Sequence, residues 1–391
     1  MSQNNDFIPF FLPSISEEEK DAVLRIMDSG WLTTGKETQA FEKEFANFIN
    51  AKHALAVNSN TSGLILTYEA CGIKEGTKIL TTPYTFTATA SAARHLNGHV
   101  VYADIEKDSY NISPEAIEQK LKEDKTIKVI VPVHIAGNLC DMKTICEIAK
   151  KYDVKVVEDA AHAFPSKAQT GYAGTLGDAG VFSFYATKTM TTAEGGMITT
   201  NNDEIAHRVS LMRMHGIDRP VWDRYTSDKA SWEYDIVAPG FKFNLPDILS
   251  ALGRVQLART PEFFEKRKKI AEQYTKAFQN VDFLQVPPDG DGNAWHLYIL
   301  RIVPEKLKIN RNEFTSILQK KGLGISMHFI PHFRMTYWKN LYNLKAEDFP
   351  NANRQFETSF SIPFWPDMSQ EQVEKVISTI IETGKEYYAS T

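Results

Sequence analysis

The spacing of hydrophobic and polar positions changes period several times along the chain. Ser16-Glu17-Glu18-Glu19 has the form of a capping box and predicts a helix running to about Asp28, stopped by Ser29-Gly30. Phe41 and Phe45 lie four apart and mark a second helix. Short apolar runs bounded by turn residues follow at 54–57, 78–81, 100–103, 128–133 and 154–158, with helical patterns between them at 61–70, 87–96, 114–121 and 142–152. Two more strand-like runs occupy 181–185 and 197–200. Strands alternating with helices of roughly 10–15 residues indicate βαβ units and a largely parallel sheet flanked by helices, an α/β fold.

A long helical pattern starts at Pro246 and is expected to break at Pro261, because proline removes a helix hydrogen bond and clashes with the preceding turn. A domain boundary is placed there. Residues 1–260 then form a large domain and residues 261–391 a smaller α+β domain, with strands at 295–302 and 324–329 and helices near 311–321 and 370–383. No internal repeat or low-complexity tract interrupts either part.

Composition narrows the function classes. The chain has 391 residues, 44 basic and 49 acidic, giving a net charge of −5, with 42% hydrophobic residues. That hydrophobic content excludes wholesale disorder. The mild negative charge argues against a nucleic-acid protein. The basic run Glu265-Lys266-Arg267-Lys268-Lys269 sits on a helix pattern and reads as a solvated face. Three cysteines without a CxxC pair fit a reducing compartment. The start, Met1-Ser2-Gln3-Asn4-Asn5-Asp6, lacks the basic region of a signal peptide, and no apolar run approaches the ~18 residues that span a bilayer. A cytoplasmic protein with no membrane partner is expected.

Four motifs carry the candidate chemistry. Val156-Val157-Glu158-Asp159-Ala160-Ala161-His162 ends an apolar strand in an acid, where parallel sheets bind ligands; alone, that acid could equally cap the next helix. Phe182 to Gly196 delivers Lys188 into a Thr-rich loop ending Glu194-Gly195-Gly196. A lysine removed from water has a lowered pKa and can form a Schiff base, although most lysines are surface charges. Ser183 offers a hydroxyl to a phosphate. Asn58-Ser59-Asn60-Thr61-Ser62-Gly63 opens a helix whose free N–H groups suit an anion, or serves as an ordinary cap. Tyr84-Thr85-Phe86 places an aromatic ring at a strand end, in the core or as a stacking plate. A lysine, a strand-end acid, a phosphate cup and an aromatic plate are together the parts that pyridoxal 5′-phosphate (PLP) requires. No metal is expected. His134 reads as a hydrogen-bonded structural histidine, Asp104, Asp141 and Asp153 as caps and turns, and Glu194 as a residue preceding a turn. Cys71, Cys140 and Cys146 read as small core residues, and Trp295 as core or sugar wall.

These motifs resemble the DegT/DnrJ/EryC1/StrS family of nucleotide-sugar aminotransferases, which have the fold type I, aspartate-aminotransferase-like architecture. The resemblance spans nearly the whole chain. It runs from Ser29-Gly30-Trp31-Leu32-Thr33-Thr34-Gly35 through the Asp159 and Lys188 motifs, Gly240-Phe241-Lys242-Phe243-Asn244-Leu245-Pro246-Asp247-Ile248 and Gln256-Leu257 to Met327-His328-Phe329 and Ile362-Pro363-Phe364. It implies that Lys188 holds the cofactor and moves the proton, and that Asp159 pairs with the pyridine nitrogen. It implies also that His162 contacts the phenolic oxygen where Gln is usual, that Phe86 stacks, and that Thr61, Ser62 and Ser183 bind phosphate. Lys242, where many members have Asn, would reach the phosphate from a neighbouring subunit of a homodimer. Thr34 and His328 would face the sugar.

Within the family, His162, the GFKFNLPDI stretch and Asn293-Ala294-Trp295-His296-Leu297-Tyr298 resemble the subgroup making UDP-4-amino-4-deoxy-L-arabinose. Asn60 for the usual Gly, Phe86 for the subgroup's Trp, and Pro331-His332-Phe333-Arg334 depart from it. The implied activity is transfer of an amino group from L-glutamate to a nucleotide-linked keto sugar at C4, with C3 amination as the rival. Sugar 3-dehydration needs His at the Lys188 position, and a non-catalytic regulator would be free to lose that lysine.

Overall fold

A computed structural model describes residues 7–218, 234–290 and 292–389. The polar start Met1–Asp6 lies outside them.

In chain order the strands are β1 (His53–Val57), β2 (Lys78–Thr81), β3 (His99–Tyr102), β4 (Ile127–Ile130), β5 (Lys155–Asp159), the short hairpin of β6 (Lys167–Ala168) and β7 (Gly171–Tyr172), then β8 (Ala179–Ser183) and β9 (Gly196–Thr200). The seven-stranded sheet has the order β1-β9-β8-β5-β4-β2-β3. Antiparallel pairing at β1/β9 and β8/β9, with parallel pairing elsewhere, leaves β9 alone running against the rest. The sheet is the expected mostly parallel one, and its strands read as apolar runs because helices cover them. Helix Asn60–Ala70 lies so close that a Cβ on Gly63 would stand 2.5 Å from Val181 Cγ1.

Predicted elements and observed ones agree where a cap or a run ended cleanly. The first helix is Glu17–Ser29, with Ser16 and Glu19 closing the capping box and Gly30 at φ 70° ending it. The second, Lys36–Ile49, buries Phe41 and Phe45. Their rings meet Phe164, Phe182 and Phe184 in one aromatic cluster under β8.

Three expectations fail. The basic run at 265–269 is not wholly a solvated face, because Arg267 is 1% exposed and donates to Trp295 O and His296 O, both at 3.2 Å. The break at Pro261 is absent: one helix runs from Asp247 to Phe278 with Pro261 inside it. Its flanks bury Gln256, Leu257, Thr260 and Phe263, so tertiary packing outweighs the ~3 kcal/mol that proline costs a helix interior. The strand expected at 324–329 reduces to a single bridge between Ser326 and Ser361. The smaller sheet is instead β10 (Leu284–Gln285), β11 (Ile299–Ile302) and β12 (Ser359–Ser361). Its core takes in Ile8 from the chain start, while Phe333, Trp338 and Phe349 pack into the core of the large sheet. No helix among the described residues is long and apolar enough to cross a membrane.

Phe45 is fully buried within the aromatic cluster. Phe45→Ala should lower unfolding free energy by about 3–5 kcal/mol in denaturant titration; a loss below ~1 kcal/mol would mean the cluster does not hold this layer.

Candidate active site

Parallel strands deliver their chain ends to one edge of the sheet, and the side chains of the four motifs meet there. The cavity they line has a volume of about 390 Å³. Asp159 closes β5. Its N–H donates to Pro132 O at 2.9 Å and its carbonyl accepts from His134 N–H at 3.2 Å. The carboxylate is buried and accepts from Thr89 Oγ1 at 2.7 Å, Ala161 N–H at 3.3 Å and Asn60 Nδ2 at 3.4 Å. Burial raises its pKa, while those donors and the nearby Lys188 act the other way. Asp159 therefore does not cap a helix; Thr89 and Asn60, each from a helix start, hold it. Neither contact is legible in local sequence, and Asn60 stands where Gly is usual. Asn60 Nδ2 also donates to Val181 O at 2.9 Å, tying the helix to β8.

Lys188 follows β8 in a loop whose threonines bond its own backbone and its neighbours. Thr189 Oγ1 donates to Phe164 O at 2.5 Å, Thr191 Oγ1 to Phe184 O at 3.0 Å and Thr192 Oγ1 to Glu194 O at 2.7 Å. Those bonds explain the run of threonines and leave Lys188 aimed into the cavity rather than at solvent. Burial lowers its pKa to about 8, against the pull of Asp159.

At the helix start Ser59 accepts from Ser62 N–H at 3.1 Å, so it is a cap. Ser59, Asn60 and Thr61 line the cavity. Ser62 lies behind them, its hydroxyl donating to Asn58 Oδ1 at 2.6 Å. Ser183 lines the cavity from the end of β8. Gly196 stands so close to this turn that a Cβ would fall 2.9 Å from Asn60 N. Phe86 is 58% exposed, which excludes a core role, and its ring lies 6.1 Å from Phe329 on the cavity wall.

A cluster of histidines forms another part of the wall. His162 lies 4.4 Å from His296, 6.1 Å from His328 and 5.3 Å from Phe329, centroid to centroid. Burial and the neighbouring cations hold all three imidazoles below their ordinary pKa, His328 at about 3. His328 Nδ1 lies 2.9 Å from Ser361 Oγ, which anchors it to β12. The approach of His296 and Phe329 was not legible in local sequence, because residues more than a hundred positions apart supply this wall.

Thr34 and Lys242 lie elsewhere. Lys242 is exposed and donates to Asn244 Oδ1 at 2.5 Å; Asn244 Nδ2 donates to Thr34 Oγ1 at 2.6 Å. Within one chain neither residue lines the cavity of Lys188. Glu194, read as a turn residue, does line it. His134 is structural as expected, fully buried and 2.9 Å from Glu158. Asp104 accepts from Asn351 and Ala352 N–H at the start of helix Pro350–Thr358, Asp141 caps Met142–Tyr152 and Asp153 ends it. The three cysteines are free; Cys140 is buried, and Cys71 and Cys146 are half-buried. Trp295 is buried against Tyr298.

Over residues 13–381 the sequence matches the DegT/DnrJ/EryC1/StrS aminotransferase family. The chain belongs to that family. The spore coat polysaccharide biosynthesis protein SpsC of Bacillus subtilis is 39% identical over 388 residues, covering 98% of this chain and 99% of SpsC. Among solved structures, the putative sugar aminotransferase Spr1654 from Streptococcus pneumoniae in its PMP-form superposes with a TM-score of 0.90 at 29% identity, over 97% of this chain and 99% of that one. Helicobacter pylori PseC, an aminotransferase of pseudaminic acid biosynthesis, gives 0.89 at 29% identity, over 97% and 100%.

The Lys188 amine should titrate near pH 8 in cofactor-free protein, read as the pH dependence of its reductive methylation by peptide mass spectrometry. The Asp159 carboxylate favours the ammonium, so Asp159→Asn should move that midpoint down. A midpoint near the ordinary lysine value of ~10.4 would contradict the buried site.

Proposed function

We propose that this PLP-dependent sugar aminotransferase moves an amino group from L-glutamate to a nucleotide-linked keto sugar, releasing 2-oxoglutarate. The observation that carries the reading is Lys188, its pKa lowered to about 8 in a cavity it shares with the buried Asp159. When bound, PLP supplies the aldehyde that holds the amino group and the ring that delocalises charge from the reacting carbon.

The residues present fit that group. Asp159, held by Thr89 and Asn60, is placed to accept a hydrogen bond from a protonated ring nitrogen. Phe86 offers a ring face at the cavity wall. Ser59, Thr61 and Ser183 surround the start of helix Asn60–Ala70, where the helix dipole favours a phosphate and the bare Cα of Gly196 leaves the backbone amides unobstructed. Ser62 supports this turn through Asn58. Lys188 Nζ, half deprotonated near pH 8, can take a proton from carbon and return it. The neutral histidines add no positive charge beside that exchange.

Amination at C4 of a UDP-linked sugar, rather than at C3, is supported by His162, the GFKFNLPDI stretch and the resemblance around Trp295. His328 lies 6.1 Å from His162 on the cavity wall, and we assign it to the sugar. Thr34 and Lys242 are assigned to the cavity of a second copy in a homodimer with shared sites, working in the cytoplasm. Their linkage through Asn244 would let both arrive as one unit.

Mixing the protein with PLP should give an absorbance band near the visible edge that L-glutamate bleaches, and Lys188→Ala should lower turnover by at least about 10²-fold. An unbleached band, or turnover retained in Lys188→Ala, would refute the mechanism. Against a panel of UDP-, dTDP- and GDP-linked keto sugars, product NMR should locate the new C–N bond at C4; a bond at C3 would overturn the positional assignment.

A further inference from the structure

The loop that follows β4 holds an alanine in a conformation that alanine seldom adopts. Ala136 has φ 60° and ψ 5°, in the left-handed region. Its peptide groups are held on both sides. The Ala136 carbonyl accepts from His296 N–H at 3.0 Å and from Leu297 N–H at 3.4 Å. The Ala136 N–H donates to His162 Nδ1 at 3.3 Å.

A ring nitrogen that accepts a hydrogen bond carries no proton, and a neutral imidazole has one proton to place. For His162 that proton must therefore sit on Nε2, the ring edge away from Ala136. Lys188, His296 and His328 face this ring, and burial with the charge of Lys188 holds it neutral, well below its ordinary pKa. The same loop uses the device a second time. Cys140 N–H donates to His134 Nδ1 at 3.1 Å, which leaves the His134 Nε2–H for Glu158 at 2.9 Å.

We propose that the Ala136 peptide is a positioning group that locks His162 in the Nε2–H tautomer, making it a fixed hydrogen-bond donor to an anionic oxygen bound in the cavity. A free imidazole samples both tautomers and would donate only part of the time. The backbone bonds from His296 and Leu297 hold Ala136 in place, so the C-terminal part of the chain sets the donor state of a residue in the turn after β5. The identity of the acceptor, an oxygen of the PLP ring, rests on the functional reading above; the tautomer does not.

The test is long-range ¹H–¹⁵N NMR on protein labelled with [¹⁵N]histidine, with the His162 signals assigned by their loss in His162→Gln. Cofactor-free protein should show an unprotonated Nδ1 and a protonated Nε2, unchanged from about pH 6 to about pH 9. An Nδ1–H tautomer, tautomer-averaged shifts, or a midpoint within that range would overturn the proposal. Ala136→Val, whose β-branched side chain resists positive φ, should mix the tautomers; retention of the pure Nε2–H form would show that Ala136 does not set it. The wild-type spectrum decides whether or not that variant folds. Loading with PLP, confirmed by absorbance, should move the Nε2–H proton downfield, and an unmoved signal in loaded protein would refute the contact. A protein that binds no PLP yet shows the locked tautomer would refute the functional reading and uphold the tautomer.

Discussion

A carboxylate buried at the end of a parallel strand has to be satisfied by whatever surrounds it, and Asp159 organises the site through that demand. Its donors come from the starts of two helices, Thr89 and Asn60, and from the turn that follows the strand, Ala161. Residues alternate sides along a strand, so Glu158 points the other way and makes a second set of bonds. It accepts from His134 and from the N–H groups of Gly174, Leu176 and Gly177. Two adjacent acids thus tie the end of β5 to the layers on both faces of the sheet. The Asp159 side opens into the cavity, and the Glu158 side is wholly buried.

Lys188 is the counterpart. Its charge costs free energy in the same enclosed space, and the cost is met by a lowered pKa rather than by an ion pair with a dedicated partner. The loop that carries it could not be left loose, because a mobile lysine would swing to water. Thr189, Thr191 and Thr192 bind it to Phe164, Phe184 and Glu194, and the Phe41–Phe45 cluster packs beneath. Positioning of the Lys188 amine is a matter of hydroxyl-to-backbone bonds over an aromatic floor.

Much of this was legible from local pattern. The strand-end Asp159, the loop Lys188 and the helix-start Thr61 each sit beside their motif's own secondary structure, and the capping box at Ser16 and the run at 78–81 fall where they were placed. What escaped depends on distance in the chain. Thr89 looks like any helix threonine until β5 arrives beside it, and His296 reaches His162 only through the Ala136 turn. Pro261 stays inside its helix because long-range packing of 32 residues prevails over the local preference. Ser62 stands behind the cavity wall, and a cap sequence with several hydroxyls does not say which of them lines it. Thr34 and Lys242 could not be placed beside Lys188 by one chain, since they gather on a different surface.

The central claim is that the buried amine at the sheet edge is the one that captures the cofactor. Borohydride reduction of PLP-loaded protein, followed by proteolysis and mass spectrometry, tests it directly. The account predicts a single pyridoxyl adduct, on the peptide carrying Lys188. An adduct on any other lysine, or none in protein shown by absorbance to be loaded, would contradict it.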